Sequence, residues 1–291
     1  MQKTDFGFEI IIGENSSTDG TYGICATYAE KYPEKIRLHR RSREEVIYIN
    51  GQATGRLNLI KSIDEARGRY IALCEGDDYW TDETKLAKQV AFLERSPAYS
   101  SCFHESVLVD EHNAVISESY LPIKRDLNQE DAFRYGNHFS IASLMFRKES
   151  FHHDELWKKV SGGDRYMVVK LTEQGLIGYM PDAMCAYRRH AGGLWSGTKE
   201  AEKSLRLYKD YRLYYQEENY RRRYGAILRK KMCDNLAAMA VHHRKNRSFG
   251  KRMKVLFAYF RLMPWNSYYI KLLISAVLFP GLYSSFRKQN G

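Results

Sequence analysis

The sequence lacks the features that would assign it to a secreted or membrane-spanning class. No charged-then-apolar leader begins the chain, which predicts that there is no signal peptide. No uninterrupted run of about 20 apolar residues is present to cross a membrane. Cysteines are few, scattered and odd in number: Cys25, Cys74, Cys102, Cys185 and Cys233. Their spacing fits neither a metal-binding pair nor a disulfide framework, so we expect buried thiols in a reducing compartment.

Acidic residues are scarce in the last third of the chain. Residues 199–291 contain 21 Lys and Arg but only 6 Asp and Glu. Residues 1–198 contain 25 Lys and Arg and 29 Asp and Glu. The formal net charge of +11 therefore comes from the C-terminal part. A near-neutral body with a basic tail is not the profile of a uniformly basic nucleic-acid binder. With 44% apolar residues among 291, the chain can form one large packed domain or two small ones.

Strand-like and helix-like patterns alternate near the N-terminus. The β-branched run at residues 8–13 leads into ENSSTDGT, which is rich in turn and cap residues. A helical stretch from residue 24 to 32 ends at Pro33, and residues 36–38 have the pattern of a short strand. A further helix is predicted over residues 55–66 and a strand over residues 69–74. This alternation predicts a parallel α/β sheet.

Three carboxylates follow the last of these strands. In YIALCEGDDYW, residues 70–80, Glu75, Asp77 and Asp78 lie within four positions of one another. Like charges this close repel, so one of them must take a proton or bind a cation. Mg²⁺ prefers a few carboxylate oxygens together with substrate phosphates, and open α/β sheets bind ligands at the carboxyl ends of their strands. The segment predicts such a site, and a hydrated acidic turn is the alternative.

Three segments, in this order, resemble family 2 glycosyltransferases of the GT-A fold. They are FEIIIGENSSTDGT, GRLNLIKSIDEARGRYIALCEGDDYW and GGDRYMVVKLTEQGLIGYMPDAMCAYRRHAGG, and together they span roughly residues 8–197. The resemblance implies an α/β nucleotide-diphospho-sugar transferase fold, with a Rossmann-like mixed sheet, over residues 1–198. We expect residues 199–291 to form a basic helical C-terminal region.

The resemblance also implies roles for individual residues. Asp78 would coordinate a divalent metal, Mn²⁺ or Mg²⁺, while Asp77 and Glu75 would hold the ribose or the sugar, or support the metal. Asp164 would be the general base that takes the acceptor hydroxyl proton in an inverting displacement. Considered alone, it would simply be a good helix N-cap. His190 would contact the metal or the diphosphate, or be an ordinary surface residue.

Further donor contacts follow from the same resemblance. Asn15 stands where the family commonly has an Asp that reads the base, which leaves the nucleotide open. Glu14 or Asp19 would compensate, although Asp19 also suits the turn and helix start. Arg188, with Arg189, would neutralise phosphate charge or be solvated.

Three aromatic or imidazole side chains are weaker candidates. Trp195 would stack on a sugar ring or fill the core. His104 and His138 would face the acceptor cleft, with core or surface positions as the alternatives.

Family members usually begin with another strand and helix before a segment like FEIII. Residues 1–5 resemble the linker that follows that helix, so we expect a first βα unit of about thirty residues to be missing from this sequence. Its absence would remove a central strand and part of the nucleotide pocket. The 291-residue chain would then express poorly or bind its donor weakly.

The basic tail is expected to be helical. Residues 200–243 have the pattern of long helices, with a packing stripe formed by Leu205, Tyr208, Tyr211 and Tyr215. Apolar residues 253, 256, 257 and 260 then lie among Lys and Arg, and an apolar segment at 268–286 is interrupted by Lys271 and Pro280. This pattern suits the surface of an anionic membrane. A helical subdomain packed on the catalytic domain is the alternative.

The leading hypothesis is a glycosyltransferase that is inverting and metal-dependent. It would move a sugar from a nucleotide-diphosphate donor to a saccharide or lipid-linked acceptor in bacterial surface polysaccharide synthesis. We expect it in the cytoplasm at the inner face of the cell membrane, with no nucleic-acid partner. The alternatives are a truncated, non-catalytic fragment of the family and a basic membrane-surface adaptor.

Overall fold

The computed structural model describes residues 2–42, 44, 46–136, 139–190, 192, 198–263, 265 and 267–277. The chain forms two compact units. The first comprises Met1–Gln129, Asn137–Lys158 and Gly163–Arg189, and the second comprises Glu130–Gly136, Lys159–Gly162 and His190–Gly291.

Strands and helices alternate through most of the described chain. The strands are β1 (Ile10–Glu14), β2 (Ile36–Arg40), β3 (Ile47–Ile49), β4 (Gln52–Thr54), β5 (Tyr70–Ala72), β6 (Tyr79–Trp80), β7 (Tyr99–Val109), β8 (Val115–Ser117), β9 (Met145–Arg147) and β10 (Leu176–Arg188). The helices are α1 (Thr21–Lys31), α2 (Arg56–Glu65), α3 (Lys85–Arg95), α4 (Gln129–Tyr135), α5 (Gly163–Gln174), α6 (Glu200–Gln216), α7 (Glu218–Lys245), α8 (Phe249–Leu262) and α9 (Ser267–Val277). Each strand and helix predicted over residues 8–74 is present, with ends shifted by a few residues.

The first unit contains a mixed sheet. Within the described residues, its strand order is β5-β9-β7-β10-β6, with β8 paired to β7. β7 and β10 run parallel, whereas β9 pairs antiparallel with β5 and β7, and β6 pairs antiparallel with β10. β1 and β2 form a separate parallel pair. The mixed sheet that the resemblance implied is therefore confirmed. The parallel sheet expected from alternation is not found in the larger sheet, because alternation along the chain does not fix the direction of a later strand.

The centre of this sheet is buried between apolar side chains. Almost every residue of β7 is buried. One core cluster consists of Leu86, Leu93, Cys102, Met145, Met180 and Met184. The sheet is thus a rigid support for the loops at the ends of β5 and β10.

The second unit is helical, which confirms the predicted helical C-terminal region. Its core lies among α7, α8 and α9, and comprises Cys233, Leu236, Ala237, Met239, Ala240, Val255, Tyr259, Met263, Tyr269 and Leu272. Leu205 and Tyr208 of α6 pack against this core, so the helical stripe serves packing. In the described part of the chain, no helix has both the length and the apolar character needed to cross a bilayer.

Candidate functional site

Asp78 lies in the turn between β5 and β6 and is held by two hydrogen bonds. Its Oδ1 accepts from the backbone N–H of Arg188 at 2.9 Å, and its Oδ2 accepts from the Ser140 hydroxyl at 3.3 Å. The residue is 8% exposed. The hydrated-turn alternative therefore does not describe Asp78, whose carboxylate has a fixed direction.

Arg188, the last residue of β10, braces the same turn. Its Nε donates to the carbonyl of Asp77 at 2.8 Å, and its Nη1 donates to the carbonyl of Asp110 at 3.3 Å. The guanidinium also lies 5.5 Å from the ring centre of Tyr79. Arg188 therefore stabilises the acidic turn. Its expected contact with a phosphate stays a prediction.

Desolvation and neighbouring carboxylates raise the pKa of Glu75 and of Asp78. Glu75 is accessible to water, yet protein atoms surround it closely enough that desolvation makes the largest contribution. The charges of Asp164, Asp77 and Asp78 add to it and raise the pKa of Glu75 to about 8. Burial, with Asp77, raises the pKa of Asp78 to about 6, although the Arg188 N–H and the Ser140 hydroxyl act in the opposite direction. The structure thus brings together Glu75, Asp77, Asp78 and Asp164.

Asp164 is exposed in the first turn of α5. The helix begins at Gly163, so Asp164 lies inside it, and its Oδ1 accepts from the N–H of Arg165 at 2.8 Å. A helix N-terminus stabilises negative charge. The charge of Asp164 contributes to the raised pKa of Glu75, and its expected role as the general base stays a prediction.

Arg56, at the start of α2, packs against the residue that precedes Asp164. It is 7% exposed, donates to the carbonyl of Trp157 and lies 6.0 Å from the centre of the Trp157 ring. A Cβ atom on Gly163 would come within 2.6 Å of Arg56 Nη2, so glycine permits this close approach. Sequence reasoning missed Arg56, because the partners that define its position lie about a hundred residues later.

The end of β1 holds the other predicted donor contacts. Burial acts to raise the pKa of Glu14, but hydrogen bonds from Ser17 and Ser16 and the charge of Arg40 bring it below its usual value. Asp19 accepts from the N–H and the hydroxyl of Thr21, at 3.1 and 2.7 Å. Both carboxylates thus stabilise the turn and the start of α1.

Asn15 follows Glu14 and is exposed. Beside it, Asn58 of α2 donates to the carbonyl of Gly13 at 2.6 Å. A Cβ atom on Gly13 would lie 1.9 Å from Asn58 Oδ1, so only glycine allows α2 to approach β1 this closely. Base recognition by Asn15, like the donor contacts expected of Glu14 and Asp19, stays a prediction.

Two tyrosines that sequence reasoning missed lie beside the carboxylates. The rings of Tyr120 and Tyr187 are 4.8 Å apart, and both residues are half-buried. Burial raises the pKa of both phenols, and the charge of Asp78 contributes to each. Asp164 also raises the pKa of Tyr120, which places this ring near both acidic groups. Tyr187 begins the segment YRRH, in which the predicted contacts were Arg188, Arg189 and His190.

The remaining predicted site residues are three histidines and a tryptophan. His190 belongs to the second unit, and its role as a metal or diphosphate ligand stays a prediction. Trp195 and His138 lie outside the described residues. His104 is fully buried, its Nδ1 lies 2.8 Å from the Glu105 carbonyl oxygen, and burial lowers its pKa to about 3. His104 is thus a core residue, not a residue that faces a cleft.

The acidic group fits a divalent cation of the kind that also binds phosphates. Among the residues that the structure describes, no three His, Cys, Asp or Glu side chains are arranged to hold a metal by themselves. Mg²⁺ commonly takes only one or two carboxylates and completes its shell with water and substrate phosphate oxygens. Asp78 offers such a carboxylate, and a cation would offset both the desolvation that raises the pKa of Glu75 and Asp78 and the smaller contribution of neighbouring carboxylates.

The chain is similar to known proteins both in sequence and in fold. The family model described as Glycosyl transferase family 2 matches residues 1–154, which include the whole acidic turn. An uncharacterized protein of Mycobacterium tuberculosis is 37% identical over 196 residues, 67% of this chain and 54% of that protein. The chain therefore spans about half the length of these curated relatives.

Two bacterial relatives have informative names. A Bacillus subtilis protein, provisionally named the teichuronic acid biosynthesis glycosyltransferase TuaG, is 25% identical over 73% of this chain and 81% of its own length. An Escherichia coli protein is named UDP-Glc:alpha-D-GlcNAc-diphosphoundecaprenol beta-1,3-glucosyltransferase WfaP. It is 35% identical over 35% of this chain and 36% of its own length.

A solved structure has the same fold. It is the mannosyltransferase PcManGT from Pyrobaculum calidifontis, determined in complex with GDP-Man and Mn²⁺. The TM-score is 0.51 at 14% identity, and the likeness covers 97% of this chain and 73% of that one. Together with the mixed sheet and the helical C-terminal region, it confirms the predicted GT-A fold.

Proposed function

The chain belongs to glycosyl transferase family 2, and on that premise we propose that it is an inverting, metal-dependent enzyme that uses a nucleotide-diphosphate sugar. The observation that carries the proposal is the group of four carboxylates formed by the acidic turn and the first turn of α5. One of them, Asp78, is buried and fixed in direction, whereas Asp164 is exposed. Different surroundings suit the two carboxylates to different tasks.

Asp164 is the general base in this proposal. An acceptor hydroxyl group becomes nucleophilic as its proton passes to a carboxylate oxygen, and a single displacement at the anomeric carbon then inverts the configuration. The position of Asp164 in the first turn of α5 supports its charged form. The charge of Asp164 contributes to the raised pKa of Tyr120, whose ring packs against that of Tyr187.

Asp78 would hold the cation. When bound, Mn²⁺ or Mg²⁺ neutralises the charge that develops on the diphosphate leaving group. The hydrogen bonds from Arg188 and Ser140 keep the Asp78 carboxylate in one orientation. Glu75 and Asp77 would hold the ribose or the sugar, and Arg188, Glu14, Asn15 and Asp19 complete the proposed donor contacts.

For the acceptor, we propose a saccharide or lipid-linked sugar in the synthesis of a bacterial surface polysaccharide. The names of the two bacterial relatives support this proposal, since one refers to teichuronic acid and the other to a diphosphoundecaprenol-linked sugar. A lipid-linked acceptor would place the enzyme in the cytoplasm at the inner face of the membrane.

Calorimetric titration with UDP-, GDP- and dTDP-sugars, each with Mn²⁺ and with EDTA, tests donor use. We expect one nucleotide to bind in a Mn²⁺-dependent manner. Incubation of that donor with lipid-linked saccharide acceptors, followed by NMR of the product, tests the stereochemistry. Undiminished turnover in EDTA would exclude metal dependence, and a retained anomeric configuration would exclude a single displacement.

A further inference from the structure

Helix α8 has two apolar faces, and the described residues cover one of them. Val255 and Tyr259 belong to the core of the second unit and are 7% and 0% exposed. Around the helix from these residues, four large apolar side chains face solvent: Phe249, Met253, Phe257 and Phe260, exposed by 72%, 47%, 66% and 53%. Their spacing of four, four and three residues aligns them in one stripe along the helix.

Further exposed apolar side chains follow in the chain. Trp265 is 87% exposed, and Ile270 and Ile274 of α9 are 39% and 45% exposed. We call these seven residues, from Phe249 to Ile274, the α8–α9 apolar surface. Single exposed apolar residues are ordinary on protein surfaces. Seven large ones within a short segment indicate a surface that meets an apolar partner.

The charge of this part of the chain is of one sign. No Asp or Glu follows Asp234, whereas residues 235–291 contain ten Lys and Arg. Lys251, Lys254 and Arg261 of α8 are exposed. The Arg261 guanidinium lies 5.8 Å from the centre of the Phe257 ring, so this positive charge lies next to the apolar stripe. A partner of this surface must therefore tolerate or attract positive charge.

We propose that the α8–α9 apolar surface docks on an anionic lipid bilayer. Phenylalanine, tryptophan and isoleucine side chains would enter the boundary between head groups and acyl chains, while Lys254 and Arg261 would lie at the level of the lipid phosphates. A second copy of the chain is a poorer occupant, because two surfaces without carboxylates repel each other. A nucleic acid would leave most of the exposed aliphatic and aromatic area without an apolar partner.

The proposal concerns binding to lipid and does not depend on the nature of the donor sugar. Vesicle binding can be measured without any transfer reaction, so a failure of either proposal would be recognised separately. Docking through α8 would bring the enzyme to the bilayer that carries lipid-linked saccharides.

Co-sedimentation of the full chain with vesicles tests the docking. Vesicles of phosphatidylcholine alone are compared with vesicles that contain equal amounts of phosphatidylcholine and phosphatidylglycerol. We expect binding to the anionic vesicles that weakens as salt is added, because salt screens the charges. The double variant Phe257→Ser, Phe260→Ser should reduce vesicle affinity by about tenfold or more, since two aromatic rings no longer enter the interface.

A second variant and a matched control separate the contributions. Lys254→Gln with Arg261→Gln should reduce the preference for phosphatidylglycerol while leaving weak binding to phosphatidylcholine. The control, Ile24→Ser with Tyr28→Ser, removes two large side chains of α1 that are 63% and 53% exposed and lie on one face of that helix. We expect this control to bind vesicles as the unmodified chain does. Thermal unfolding should change little for all three variants, because the replaced side chains are exposed.

Three outcomes would overturn the proposal. The first is equal sedimentation with and without anionic vesicles. The second is unchanged vesicle affinity in Phe257→Ser, Phe260→Ser, which would assign the contact to another part of the chain. The third is a dimer in light scattering that the same double variant converts to a monomer in the absence of lipid, which would assign the surface to a second copy.

Discussion

The backbone N–H of Arg188 donates to Asp78 Oδ1 over 2.9 Å, although the two residues are 110 positions apart in the chain. This bond joins the end of β10 to the acidic turn after β5. The side chain of Arg188 adds a second bond, to the carbonyl of Asp77. The carboxylate proposed to hold the cation is therefore oriented by the sheet before any ligand binds, which reduces the ordering needed on binding.

Replacement of Asp78 by Asn tests its proposed charge. The variant keeps the size of the side chain and an oxygen for the Arg188 N–H, but it loses the negative charge. We expect kcat/KM to fall by about a hundredfold or more and Mn²⁺-dependent donor binding to weaken. Asp182→Asn, which changes an exposed carboxylate of β10, is the matched control. An Asp78→Asn enzyme with unchanged kinetics would contradict the assignment.

Replacement of Asp164 by Asn tests the proposed base. We expect kcat to fall by roughly 10²- to 10⁴-fold with nearly unchanged donor affinity, because the base acts only in the chemical step. A readout that does not depend on turnover is also available. The charge of Asp164 contributes to the raised pKa of Glu75, so the substitution should lower that pKa in an NMR titration of the carboxyl groups. Normal turnover would leave Asp164 as no more than a helix-start residue.

Asp210 of α6 should be essential to the loop that precedes α5. Asp210 is 2% exposed. Its carboxylate accepts hydrogen bonds from the N–H and the hydroxyl of Ser161 and from the N–H of Gly162. Asp210→Ala leaves these donors without their partner, and we expect the free energy of unfolding to fall by about 2 to 4 kcal/mol. Since Gly162 is two residues before Asp164, kcat should fall as well. Urea unfolding checks the first effect, and Ser161→Ala should give a smaller loss.

Lys85 should make stability depend on pH. It is fully buried, its Nζ donates to Gln89 Oε1 at 2.6 Å, and it lies 4.2 Å from the centre of the Trp80 ring. Burial lowers its pKa from 10.5 to about 8 in the folded protein. Between these two values the unfolded chain binds the proton and the folded protein does not, so stability rises with pH in this window.

The matched variant Lys85→Met should lack this rise. We expect the unmodified protein to gain about 2 to 3 kcal/mol relative to Lys85→Met between about pH 7 and about pH 10. Urea unfolding of both proteins across this range measures the difference. Parallel pH profiles for the two proteins would show that Lys85 does not titrate in the window.

The local parts of the fold and site could be predicted from the sequence. β-branched runs, the cap-rich turn and the breaker Pro33 identified the first strands and helices, and three carboxylates in four positions identified the acidic turn. Asp164 was found only through the family resemblance, because an isolated Asp at a helix start has an ordinary structural explanation. Arg56 and Ser140 were missed, since their contacts depend on how distant segments pack. For α8, helical spacing identified an apolar stripe but not which apolar face the fold leaves open.

The pairing of β10 with β7 limits how this part of the chain can vary in length. Met180 pairs with His104, Ala183 with Glu105 and Cys185 with Ser106, so Pro181, Asp182 and Met184 are extra residues on β10. From Cys185 to Arg188 the pairing with β7 is regular. Because successive side chains of a strand point to opposite faces, the removal of one residue from this regular part reverses the residues that follow it. Such a deletion would turn Tyr187 away from Tyr120 and would shift the N–H that binds Asp78. Among functional homologues, length changes should therefore fall within residues 181–184 and not between Cys185 and Arg188.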